Sequence, residues 1–142
     1  MKNMNEIKSE LGFSALNTDG SEEHDIKDLN EMPWDRENIV MQYKTHIVYA
    51  DKFPVTEGHL LYVPRSRNFL QIMDCFTEAY KRGISGIENK EWDGFNIGMN
   101  FNEQAGQTID WPHVHLNPRR EGDTEEPRGG IRNVIPGAGN YK

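Results

Sequence analysis

Two of the chain's five histidines, His113 and His115, stand two residues apart in the stretch Gly106-Gln107-Thr108-Ile109-Asp110-Trp111-Pro112-His113-Val114-His115-Leu116. Val114 and Leu116 interleave with them, so the spacing predicts a strand with imidazoles on one face and aliphatics on the other. Trp111 falls on the imidazole face by the same alternation, either walling a site or simply packing. Upstream, Asn100-Phe101-Asn102-Glu103-Gln104-Ala105-Gly106 reads as a polar turn able to present backbone N–H groups. Two imidazoles beside such a turn suit an anionic oxygen such as a phosphate. A neutral imidazole can attack phosphorus, and backbone N–H groups around Gly106–Thr108, the Thr108 hydroxyl and His115 are candidate donors to the charge that develops. The same pair, with His59 or a carboxylate, also has the donor set of a zinc or other divalent-metal site.

The remaining residues must hold these side chains in place. A length of 142 residues suits one domain with one core. A formal net charge of -7 argues against a general nucleic-acid binder but leaves room for a small anionic ligand. No apolar run approaches a membrane span, and charge rather than an apolar leader follows Met1, so a soluble cytoplasmic protein is expected. The single cysteine, Cys75, excludes an internal disulfide and a CxxC zinc knuckle.

Residues 1–35 are rich in Asp, Glu, Asn and Ser and are read as an N-terminal extension with at most a short helix around Asn5–Leu11. Strands are predicted over Ile39–Tyr43, His46–Ala50, His59–Val63 (stopped by Pro64) and Phe95–Met99, with the histidine pair forming a fifth. Asn68 offers an N-cap to a helix running from Phe69 into the eighties, which Gly83 and Gly86 are expected to end or interrupt. After Pro118 the chain turns to Arg, Glu, Gly, Pro and Asn, where only Ile131, Val134 and Ile135 can pack. The domain core is thus placed at 36–123 and a loop-rich C-terminal arm at 124–142. Dominant strands without a regular βαβ alternation predict an α+β fold with a mostly antiparallel sheet.

Three blocks resemble the histidine triad (HIT) family of nucleotide-binding hydrolases and transferases. They are Asp51–Pro64, Asn96–Gln107 with its Ala-Gly-Gln ending, and Thr108–Arg119 with its closing Pro-Arg. The resemblance implies a five-stranded antiparallel sheet with one long and one short helix. It also implies a homodimer with the long helix near the interface, and a nucleotide ligand held without an obligatory metal or other cofactor. Carried over by position, His113 matches the nucleophile, His115 the third histidine, and His59 a neighbour of the nucleophile. Asp51 would take ribose hydroxyls, and Asn100, Gln107 and Thr108 the phosphate, beside Gly106. Trp111 stands where the family has its first histidine, and Asn117 occupies an apolar position.

Three readings follow. The first is a hydrolase of dinucleoside polyphosphates or nucleoside phosphoramidates with a nucleotidyl-His113 intermediate. The second is a catalytically weak nucleotide-binding module, favoured by Trp111. The third is a histidine-based metal site. Other groups have plainer roles: His24 as a solvated side chain, His46 as a strand residue, Cys75 in or beside the core, and Asp110 facing away from the histidines. Arg119 and Arg120, and the Arg128–Arg132 run with its Gly129-Gly130 pair, suit either a polyphosphate or a salt-bridged surface.

Overall fold

A computed structural model describes residues 29–140. The expected helix at Asn5–Leu11 and His24 lie outside the described residues. Five strands form one antiparallel sheet: β1 (Ile39–Gln42), β2 (His46–Ala50), β3 (Leu60–Pro64), β4 (Gly94–Gly98) and β5 (Val114–Arg119), in the order β1-β2-β3-β5-β4. The helix α1 (Phe69–Glu88) joins β3 to β4, and short 3-10 turns occupy Arg36–Asn38, Glu103–Ala105 and Gly130–Val134. This is the expected α+β architecture.

Alternation explains the layering. Ile47, Tyr49, Leu61 and Val63 pack with Met32 and Trp111 on one face of the sheet. Val48, Tyr62, Val114 and Leu116 pack with Cys75 and Ala79 of α1 on the other. Two-sided burial is why β2 and β3 read as apolar runs. The packed unit also reaches upstream of residue 36, because Met32 is buried and Leu29 and Trp34 lie against its cluster.

The Asn68 side chain accepts from the Leu70 and Gln71 N–H groups and so starts α1 where the sequence places it. The helix does not end at Gly83 or Gly86. Both are buried interior positions, and a Cβ at Gly83 would lie 2.6 Å from the Phe95 ring, while one at Gly86 would overlap the Trp92 indole. The glycines serve close packing here rather than termination. β5 begins at Val114, one residue after His113, and continues through Pro118 to Arg119. His113 is therefore held by the segment entering the strand and His115 by the strand itself.

Candidate active site

Asp51 leaves β2 into a tight loop that returns at His59. Its Oδ1 accepts from Phe53 N at 2.7 Å, while Asp51 N donates to His59 O at 3.1 Å. This loop sets Asp51 beside His59, with Oδ2 3.5 Å from His59 Nε2. β3 pairs with β5 so that Leu61 lies opposite His115. The topology thus brings the residue that follows β2, the residue that precedes β3 and His115 of β5 together.

The hydrogen bonds there fix a proton order. Val55 N donates to His59 Nδ1 at 3.1 Å, so the neutral His59 ring keeps a lone pair on Nδ1 and its proton on Nε2. His59 Nε2–H then donates to His115 Nδ1 at 2.9 Å, which leaves the His115 proton on Nε2 as a donor. His113 Nδ1–H donates to the Trp111 carbonyl at 2.8 Å. A carbonyl can only accept, so the neutral His113 ring carries its lone pair on Nε2. The two rings meet edge to face with centroids 5.1 Å apart.

Burial holds this order in place electrostatically. Desolvation, aided by the neighbouring His113 and His59 rings, pushes the His115 pKa down to about 4. Burial also lowers His59, against the pull of Asp51. His115 is therefore a neutral donor at physiological pH. Asp51, His59 and His115 bring one ligand atom each within 4.8 Å of one another, so these are the residues that could hold a metal ion. Their inward nitrogens are committed to the His59–His115 bond, however. A metal on His59 Nε2 would have to displace that proton against the Val55 N–H on the opposite nitrogen.

A cavity of about 450 Å³ opens beside the histidines, lined among others by Trp34, Asp51, Asn100, Thr108, His113 and His115. Five of those six are residues singled out from the sequence. Gly106 and Gln107 stand back from it. Gly106 closes the 3-10 turn with φ 93°, and Gln107 pins the loop, donating to Ile109 O and Asp110 O and accepting from Asn102 N. Trp111 is buried in the apolar cluster, where its Nε1 donates to Pro64 O at 2.9 Å and the Arg67 guanidinium lies 4.8 Å from its ring centroid. Its backbone, not its indole, meets the histidines.

Trp34 is the residue the sequence did not single out. Its ring stands edge-on to His113 at 5.1 Å and packs against Tyr49 at 5.6 Å. The cations expected near a polyphosphate are engaged elsewhere. Arg119 forms a two-pronged bond to Asp123, whose carboxyl it pushes down to about 2, and also donates to Asn96 Oδ1. Arg120 donates to Glu57 O, and Arg132 to Ala138 O. Asp110 faces solvent, 3.0 Å from Arg67. His46 is buried in β2, stacked on Tyr43 and apart from the site.

No protein-family model matches the chain. Over 103 residues it is 31% identical to an uncharacterized HIT-like protein of Methanocaldococcus jannaschii, covering 68% of this chain and 80% of that one. It is also 31% identical over 102 residues to the AP-4-A phosphorylase of Mycobacterium tuberculosis, covering 63% of this chain and 50% of that relative's length. A crystal structure of a zinc-bound histidine triad family protein from Mycobacterium smegmatis has the same fold, with a TM-score of 0.57 at 24% identity, over 62% of this chain and 69% of that one.

Proposed function

The chain belongs to the histidine triad (HIT) family, and from that premise we propose that it is a nucleotide hydrolase cleaving the phosphoanhydride or phosphoramidate bond of a dinucleoside polyphosphate or nucleoside phosphoramidate. The observation that carries this reading is the 2.8 Å bond from His113 Nδ1–H to the Trp111 carbonyl, which aims the His113 lone pair outward from Nε2 beside the cavity. The relative named for AP-4-A supports the substrate class.

In the first step His113 Nε2 bonds to phosphorus and the bridging bond breaks, sending its electron pair out with the leaving phosphate or amine. A phosphate leaves as an anion; an amine takes a proton from solvent. The His115 Nε2–H and the Thr108 hydroxyl offer hydrogen bonds to the phosphoryl oxygens. Asp51 takes the ribose hydroxyls, Asn100 sits by the phosphate, and Trp34 walls the nucleoside. Water then adds at phosphorus, the P–N bond breaks, and the imidazole returns neutral as the water's extra proton passes to solvent. His59 acts as a positioning residue by holding His115 in its donor tautomer. We assign no metal to these steps, because the His59–His115 bond already occupies the nitrogens a metal would need.

We further propose a homodimer. On α1, Leu70, Met73, Tyr80, Ile84 and Ile87 are exposed, and with Thr77 they repeat at alternating intervals of three and four. Such a stripe forms the seam of two packed helices. β4, at the sheet edge, lies beside it.

Incubating the protein with diadenosine tetraphosphate and adenosine phosphoramidate tests the activity. Turnover that falls at least about a thousandfold in His113→Ala while nucleotide still binds is the expected result. Binding without turnover in the wild type would instead assign a nucleotide-binding module.

A further inference from the structure

The alignment of His113 depends on one carbonyl, that of Trp111, and the chain that carries it belongs to no strand or helix. The preceding 3-10 turn ends at Ala105 and β5 begins at Val114, so no ladder fixes residues 107–113. Pro112 narrows the geometry, because its ring sets the φ between the Trp111 carbonyl and His113. The rest of the alignment has to come from side chains.

Gln107 supplies much of it. Its Nε2 donates to Ile109 O at 3.0 Å and to Asp110 O at 2.9 Å, while its Oε1 accepts from Asn102 N at 2.7 Å. Carbonyls only accept and a backbone N–H only donates, so these partners allow one orientation of the carboxamide and use both of its N–H groups. No donor is left for a phosphate, the role that the resemblance implies for this residue. On the other side the carboxamide holds Asn102 at φ 74° and ψ 159°, a conformation that residues with a side chain seldom adopt. The Asn102 carbonyl in turn takes the Gln107 N–H at 3.1 Å. Asn100 precedes this turn and Thr108 lies beside the clamp, and both line the cavity with His113. Arg67 grips the same segment from outside, with Nη2 3.0 Å from Asp110 Oδ2 and the guanidinium 4.8 Å from the Trp111 ring centroid.

We infer that Gln107 is a positioning residue for the nucleophile and not a phosphate ligand, a role that rests on the hydrolase reading above. Its carboxamide locks residues 109–111 so that the Trp111 carbonyl meets His113 Nδ1–H and the lone pair stays on His113 Nε2. The Trp111 indole is turned into the core, so its backbone orients His113, and Gln107 orients that backbone. The same side chain ties the turn after Asn100 to the nucleophile in one frame.

Gln107→Glu tests this with little change of shape. It keeps the acceptor for Asn102 N and turns a carboxylate oxygen toward two carbonyls. The full-length wild type and variant are compared by nitrogen NMR of the His113 ring, at a pH above the imidazole range, and by calorimetry with adenosine monophosphate. The wild-type ring should report one tautomer, with its proton on Nδ1, and the variant a mixture of two. Affinity for the monophosphate should stay within about threefold, while kcat on diadenosine tetraphosphate falls about a hundredfold with little change in KM. A phosphate ligand would behave in the opposite way, because a carboxylate there repels the monophosphate. An unchanged tautomer, or an affinity loss of about tenfold or more, would each overturn the positioning role. Gln107→Leu, which removes the hydrogen bonds without adding charge, gives the same readings if circular dichroism shows that the glutamate disturbs the fold. The nitrogen spectra need no substrate. A tautomer that changes in the variant while the wild type turns nothing over leaves the clamp standing without the hydrolase, and turnover with an unchanged tautomer leaves the hydrolase standing without the clamp.

Discussion

The Trp111 carbonyl accepts from His113 at 2.8 Å, and the Trp111 indole is buried on another face of the same residue, donating to Pro64 O. The two roles are separable. Trp111→Ala should lower stability by about 3–5 kcal/mol, as for a large buried aromatic, measured by urea unfolding. The folded fraction should still turn over within severalfold of wild type, since the backbone acceptor is untouched. His115 makes a second prediction. Its folded pKa of about 4 lies below its ordinary 6.5, so the unfolded chain binds more protons between those values. This group's contribution to stability is therefore present above pH 6.5 and is lost as pH falls toward 4. An NMR titration of the ring should find it neutral until pH approaches 4. His59→Ala should release the ordered proton on His115 and reduce kcat more than it changes KM. At this scale the histidines were legible because period-two alternation exposes them. Trp34 was not, because a lone tryptophan in a polar, acidic segment has no periodic neighbours, and only the packing of Met32 and Tyr49 brings it to His113.

The start of α1 was legible at Asn68 because an N-cap is a local signal. Its end was not. Glycine in a helix interior costs about 1 kcal/mol relative to alanine and is commonly found at the C-terminus, so Gly83 and Gly86 read as stops. Tertiary packing overrides that preference here. Trp92 lies against Gly86 and donates its Nε1 to Gly83 O at 3.0 Å, and Phe95 covers Gly83. These contacts hold α1 against the start of β4 and hence the sheet edge in register. Gly86→Ala, which improves helix propensity, should therefore destabilise the protein by about 1–3 kcal/mol through overpacking against the indole, read as a lower Tm. An increase in Tm would show that the Trp92 contact yields. The strands were read to within one or two residues, β2 and β3 because both their faces are apolar and β5 because apolar and polar side chains alternate along it. The entry of β5 was read too early, since Pro112 and His113 precede the ladder.

Across the whole molecule, the charge of -7 and the α+β architecture were plain from composition and pattern, whereas the contribution of residues 29–35 was not. That segment is polar and irregular, and its few apolar residues gain meaning only from the cavity and the core they wall. No helix among the described residues is long and apolar enough to cross a membrane. The exposed stripe on α1 belongs to this scale. Sedimentation should give twice the 16.4 kDa chain mass for wild type and 16.4 kDa for a Met73→Glu, Tyr80→Glu double variant. An unchanged mass in that variant would move the interface elsewhere. The most direct measurement is of the covalent intermediate. Wild type mixed rapidly with diadenosine tetraphosphate, quenched under alkaline denaturing conditions and analysed by intact and peptide mass should carry one nucleotidyl group on the peptide containing His113. His113→Ala should carry none. Turnover that persists in His113→Ala, or an adduct on any other residue, would contradict the assignment of His113 as nucleophile.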